Sequence, residues 1–188
     1  MIRAACLAVL AAAAPAFASD YDAQLKELAA GRLEAIAQDP AVVQAIAARN
    51  AEGAPEQAEI DRLDAEWRAQ VGAASAPLIE AVLASPASLR LAEARDASQG
   101  LITEVFAMDA VGLNVAASDA TSDYWQGDEA KWRETYAVGA DAIHISDVEL
   151  DESTQTFQAQ VSLPVTDPAT GKPIGAITSG AASAGGDG

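Results

Sequence analysis

The chain has 188 residues and carries 28 Asp and Glu against 11 Lys and Arg, a formal charge of −17. That balance excludes nucleic acid and anionic lipid surfaces as partners, since both need a positive footprint, and it leaves solubility with weak attraction for cations. Hydrophobic residues make up 51% of the chain, enough at this length to bury one sizeable core without staples.

Arg3 is followed by an apolar run, Ala4 to Ala14, and by Ala16-Phe17-Ala18, the three-part pattern of a cleaved export signal. The run ends at Pro15, short of the roughly 20 apolar residues that cross a bilayer. The expectation is a signal peptide over residues 1–18, a mature chain from Ser19, and a periplasmic or secreted location. Cys6, the one cysteine, falls in that signal, so neither a disulfide nor a thiolate is expected in the mature protein.

From Tyr21 to Gln38, Tyr21, Leu25, Leu28, Leu33 and Ile36 recur at helical spacing, with Asp20 placed to cap the start. Asp39-Pro40 breaks this helix and opens a second containing Val42, Val43 and Ile46. After a loop at 50–55, Ile60, Leu63, Trp67 and Val71 form a third stripe that ends near Gly72, and Pro77 and Pro86 open two short helices. Trp67 lies on the stripe and reads as core. No repeat or sustained heptad changes this picture.

At Gln99-Gly100 the period switches from helix to strand. Residues 101–108 and 113–118 read as a hairpin around Asp109-Ala110-Val111-Gly112, followed by a polar loop and a helix over Gly127–Tyr136. Strands over 143–150, 156–165 and 174–179 complete a meander. In the 156–165 strand, Phe157, Ala159, Val161, Leu163 and Val165 point to the core, while Thr156, Gln158, Gln160, Ser162 and Pro164 face water or a pocket. Residues 180–188, rich in Gly, Ala and Ser, read as a flexible tail. The fold class is α+β: a helical region over 19–100, then a five-stranded antiparallel sheet over 101–179 with a loop-helix insert between strands 2 and 3.

Three segments, VFAMDAVGLNVAAS, SDATSDYWQGDEAKW and VSLPVTDPATGKPIGAIT, resemble in this order the extracytoplasmic sensor domains of the Cache (PDC) superfamily, whose fold is PAS-like. In kind the chain looks like the free-standing exported sensor proteins of that superfamily. The resemblance covers residues 101–178 well and the helical half only in pattern. It implies a small-ligand pocket between insert and sheet, ligands such as organic acids, amino acids or amines, occupancy passed to a kinase or chemoreceptor, and a homodimer through the N-terminal helix. The chain departs from the family in carrying no recognisable membrane helix or output module, so signalling is expected to run through a separate protein.

The insert carries the candidate contacts Asp119, Thr121, Asp123, Tyr124, Trp125 and Arg133, with Asp128, Glu129, Lys131 and Trp132 beside them. Acids at a helix start are favourable without any function, so solvated charge is the first reading of the cluster, ligand contact the second and a metal the third. The spacing misses an EF-hand loop because position 12 from Asp119 is Ala130. Tyr124 and Trp125 suit a pocket wall, and Arg133 suits a ligand carboxylate. His144, the one histidine, and Gln158 and Gln160 would join them if their strand faces lie under the insert. Gly171-Lys172 lacks the upstream glycines of a phosphate loop. No nucleophile, base and orienter can be named together, so the chain is read as a non-catalytic sensor module without cofactor or metal, relaying ligand occupancy to a separate membrane partner. The alternative is a ligand-free accessory domain that docks another exported protein.

Overall fold

The computed structural model describes residues 16–150 and 157–182; the expected signal sequence up to residue 15, residues 151–156 with Thr156 among them, and the expected tail from residue 183 lie outside the described residues. The N-terminal stripe forms one helix in three pieces: α1 (Ala16–Leu28), a π-turn (Ala29–Leu33) and α2 (Glu34–Ala37). Its helical backbone begins at Ala16, four residues before the start expected at Asp20. The π-turn has a packing reason. Leu28 and Leu33 are five residues apart, about 140° around a regular helix, yet both are buried in one core, and the wider turn brings both onto that face.

Asp39 ends this helix and caps the next: its carboxylate accepts from Ala41 N at 2.8 Å, and Pro40 opens α3 (Pro40–Ala51). Then come α4 (Gln57–Gln70), α5 (Pro77–Leu83) and α6 (Pro86–Asp96), close to the predicted spans. Val71, assigned to the α4 stripe, lies past its last turn and is 45% exposed. Among the described residues no helix is long and apolar enough to cross a membrane.

The predicted hairpin is present as β1 (Ile102–Met108) and β2 (Asn114–Ala117). Asp109 shapes its turn by accepting from Val111 N and Leu113 N, each at 2.9 Å, while Gly112 takes φ +90°. The predicted strand 143–150 is split into β3 (His144–Ile145) and β4 (Glu149–Leu150), so the sheet has six strands where five were expected. The cause is Ser146. Its hydroxyl accepts from Gln160 N at 2.8 Å and donates to Asp147 O at 2.7 Å, taking hydrogen bonds a continuous ladder would use.

Next come β5 (Phe157–Thr166) and β6 (Pro173–Ala182), giving the order β2-β1-β6-β5-β3 with β4 also on β5, every pair antiparallel. β6 runs three residues beyond its predicted end, into the segment read as flexible. Composition misleads there because β6 is central: β1 and β5 flank it and satisfy its backbone on both sides. Gly180 is part of that packing, since a Cβ would overlap Thr103 Oγ1 and come within 2.5 Å of Gln158 Oε1.

Both faces of the sheet are covered. Leu25, Leu28, Leu33, Val42, Ile46 and Leu91 from the helices pack on Val105, Ala107, Val161, Val165 and Ile177. On the other face Phe106, Met108, Ala117 and Ala176 lie under Leu83, Trp132 and Tyr136. Phe157, predicted to be core, is 64% exposed, because β5 begins before it reaches the helical layer. The alternate face of β5 is only partly wet: Gln158, Ser162 and Pro164 are buried and Gln160 half-buried.

Tyr21 joins the first helix to the sheet, donating to Ala181 O at 2.8 Å and accepting from Ala159 N at 3.2 Å. Burial pushes its phenol above the usual 10.0. A folded value above the unfolded one means that its contribution is complete below the unfolded pKa and lost as pH rises through the folded pKa. Denaturant titrations at about pH 8 and about pH 10.5 should therefore show the advantage of wild type over Tyr21→Phe shrinking at the higher pH; a constant gap contradicts this. Gly175 lies against Met108, whose carbonyl oxygen an added Cβ would overlap, with Ile46 Cγ2 at 3.0 Å behind it. Gly175→Ala should cost about 2–3 kcal/mol, lowering the thermal midpoint by roughly 5–10 °C.

Candidate functional site

Among the contacts that hold the insert from outside the sheet, one is a buried carboxylate. Asp64 lies on the α4 stripe between Ile60 and Trp67 and is 5% exposed. Its Oδ1 accepts from Tyr124 N at 2.9 Å and Trp125 N at 3.1 Å, and its Oδ2 pairs with Arg68. Thus anchored, residues 124–126 run antiparallel to the start of β2: Asn114 N donates to Tyr124 O at 3.0 Å and Gln126 N to Gly112 O at 2.8 Å. The chains approach so closely that a Cβ on Gly112 would lie 2.5 Å from Gly127 Cα.

The aromatic residues of the insert are the anchors of this arrangement. Tyr124 stacks on Trp67 with centroids 5.1 Å apart, and burial raises its phenol pKa. Trp67 Nε1 donates to Thr121 O, Trp125 Nε1 to Val111 O, both at 2.8 Å, and Trp132 Nε1 to Asp109 O at 3.1 Å. The predicted helix over Gly127–Tyr136 shortens to α7 (Ala130–Arg133). Before it, backbone is committed to the Gly112 crossing; after it, Thr135 Oγ1 donates to Lys131 O at 2.6 Å and draws off a carbonyl the helix would need.

Inside the anchor lies a polar knot. Asp123 O accepts from Thr121 Oγ1 at 2.7 Å and from Asn114 Nδ2 and Gln126 Nε2, each at 2.9 Å. Gln126 passes the chain on: its Oε1 accepts from Lys131 Nζ at 3.0 Å, and that ammonium also pairs with Glu129 at 2.9 Å and sits 5.5 Å from the centre of the Phe106 ring.

Between the insert and the β3–β5 edge of the sheet lies a hollow of about 630 Å³. The insert contributes Ser122, Asp123, Glu129 and Lys131, and the sheet edge His144, Ser146, Asp147, Glu149, Gln158 and Gln160. Among the described lining residues, four carboxylates face one ammonium and one imidazole. Asp123 is paired with Arg68 at 3.1 Å and His144 Nδ1 lies 2.9 Å from Glu134. Gln158 is tied to the sheet, donating to Glu104 at 2.9 Å and accepting from Thr103.

Of the predicted contacts, the structure brings Asp123, His144, Gln158 and Gln160 to this hollow. Asp119 is exposed and paired with Arg95, and Arg133 is exposed at the end of α7. Thr121 and Tyr124 are buried under α4, and Trp125 lines a second, acidic depression of about 680 Å³ between α4 and the insert. Asp119 thus lies apart, while Asp123, Asp128 and Glu129 also line that depression; among the described residues no group of three or more His, Cys, Asp or Glu could hold a metal ion. Sequence reasoning missed Asp64, Ser146, Asp147 and Glu149. For Asp64 a signal existed: an acid within an apolar stripe, three residues before Trp67, points inward and needs a partner there.

No family model matches the chain, and no curated relative does. The solved structures to which it is similar include domains of chemoreceptors and of a histidine kinase. The sensory domain of a Campylobacter jejuni chemoreceptor with isoleucine bound matches with 15% identity and a TM-score of 0.40, covering 88% of this chain and 62% of that one. The sensor domain of a V. cholerae histidine kinase gives 15%, 0.40, 88% and 58%. The ligand-binding domain of a Pseudomonas aeruginosa amino acid chemoreceptor in complex with GABA gives 18%, 0.39, 66% and 56%. This chain spans about three fifths of the length of these domains, and likeness of this degree assigns it no ligand.

The Asp64 anchor has a measurable cost of removal. Asp64→Ala leaves two amide groups without their acceptor and should lose about 3 kcal/mol, while Asp64→Asn, which keeps an oxygen for both, should lose less than half of that by thermal unfolding. Equal losses for the two would mean that charge, and not the acceptor, holds the insert.

Proposed function

We propose that the chain is a non-catalytic binding module for a small ligand carrying an ammonium or similar cationic group, and that the hollow between insert and sheet edge is its site. The observation that carries this reading is the hollow itself: about 630 Å³, within the range of small-ligand pockets, with a lining whose charge is acidic on balance. Asp147 and Glu149 are exposed on its rim and form no ion pair with any described residue. In a concave site like charges sum and focus their field, which draws cations. The resemblance of the hairpin, insert and meander to Cache sensors supports the same use of the same place. On this reading the protein acts outside the cytoplasm and reports occupancy to a separate membrane partner.

A row of exposed apolar side chains favours a second reading, an accessory domain that docks another exported protein. Ile143, Val148, Leu150 and Phe157 are between 45% and 64% exposed along the β3–β5 edge, as residues of an interaction surface are.

A thermal-shift panel of primary amines, amino acids and carboxylates separates the two. At a hundred times its dissociation constant a ligand raises stability by about 2.7 kcal/mol, roughly 5–10 °C for a chain of this size. At least one amine should do so, and the double variant Asp147→Asn/Glu149→Gln should lose most of the shift with its own midpoint unchanged. Silence from every amine leaves the docking reading in place.

A further inference from the structure

The hollow contains a device that sets the sign of the ligand it accepts, an inference that rests on the hollow being a ligand site. Lys131 stands on the inner wall with its side chain 12% exposed, and Glu129, 41% exposed, holds its Nζ at 2.9 Å. Gln126 Oε1 takes a second ammonium proton at 3.0 Å, and the Phe106 ring lies 5.5 Å away. An ammonium has three donors and no acceptor, so two oxygens and a ring face occupy most of its surroundings. The imidazole of the wall, His144, lies against Glu134, its Nδ1 2.9 Å from that carboxylate. An incoming carboxylate therefore finds the Lys131 ammonium already neutralised and the His144 imidazole engaged, and it meets Asp147 and Glu149 at the rim.

We propose that Glu129 is the specificity-determining residue of the hollow: by cancelling Lys131 it makes the site reject anions, and without its charge Lys131 becomes a receptor for a carboxylate. The ammonium has two partners besides Glu129: the Gln126 oxygen and the face of the Phe106 ring. It would therefore be presented, already oriented and partly desolvated, to whatever enters. A half-buried charge of this kind interacts more strongly than one in bulk water, and a carboxylate can replace Glu129 at the same atom. Selectivity thus comes from an element that repels the wrong ligand as much as from one that attracts the right one.

The test uses two probes of matched length, butane-1,4-diamine and succinate, measured by calorimetry and thermal shift on wild type, Glu129→Gln, and Glu129→Gln/Lys131→Met. Glutamine keeps the shape and a hydrogen-bond acceptor, and the exposure of Glu129 makes its loss tolerable to the fold. Wild type should answer to the diamine and ignore succinate. Glu129→Gln should bind succinate at least about tenfold more tightly than wild type does, in a salt-sensitive manner, and the double variant should lose that gain. Wild type that binds succinate, a Glu129→Gln protein indifferent to it, or a double variant that retains it each overturns the assignment. If wild type still binds an amine while Glu129→Gln gains nothing, Glu129 is not the determinant but the ligand site survives; if none of the three proteins answers to either probe, and the amine panel is silent too, both fall.

Discussion

The carboxylate of Asp64 is the constraint on which the working part of the molecule depends. It is a charged group inside an apolar helix face, and such a group is retained only where donors compensate its desolvation. Here the donors are two consecutive backbone amides of the insert, with Arg68 on the other oxygen. That arrangement fixes residues 124–126 beside β2, and from there Asp123 and Lys131 are delivered to the hollow. Helix α4, distant from the sheet edge in sequence, thus decides where the hollow's wall stands.

A second constraint is the central position of β6. With partners on both sides, its backbone needs nothing from its side chains, and Gly175 and Gly180 let neighbouring atoms approach it closely. One face of the sheet can then take the helical layer and the other the insert. The hollow is left at the remaining margin, where Ser146 interrupts the edge strand and the ladder of β5 loses its cover. Polar side chains can line that margin because it lies beyond the apolar cluster of Phe106, Met108, Ala117 and Ala176.

Much of this layout was legible in the residues. Pro40, Pro77 and Pro86 mark helix starts, the Asp109–Gly112 turn marks the hairpin, and the alternation after Phe157 marks a strand with one core face. These signals are local: proline and glycine act through their own backbone and periodicity acts within one element. The extent of β6 was not legible, because a glycine tail and a glycine strand differ only in their neighbours. The same holds for the site. Asp123, His144, Gln158 and Gln160 could be chosen as polar residues near an insert, whereas the aromatic pair Tyr124-Trp125, by sequence the stronger ligand-contact candidates of the insert, is engaged by Trp67, Val111 and Asp64.

The sequence by itself determined the helices, the hairpin and the identity of the segment that would cover the sheet, because each depends on contacts a few residues apart. Only the tertiary structure decided which of that segment's residues are anchors and which line the hollow. Asp64 and Tyr124 are 60 positions apart, Thr103 and Gln158 55, and no pattern along the chain records that a carboxylate on one helix has taken the amides of a distant loop. The division between scaffold and site follows from those long-range hydrogen bonds, since a buried polar group must find a partner wherever the fold supplies one.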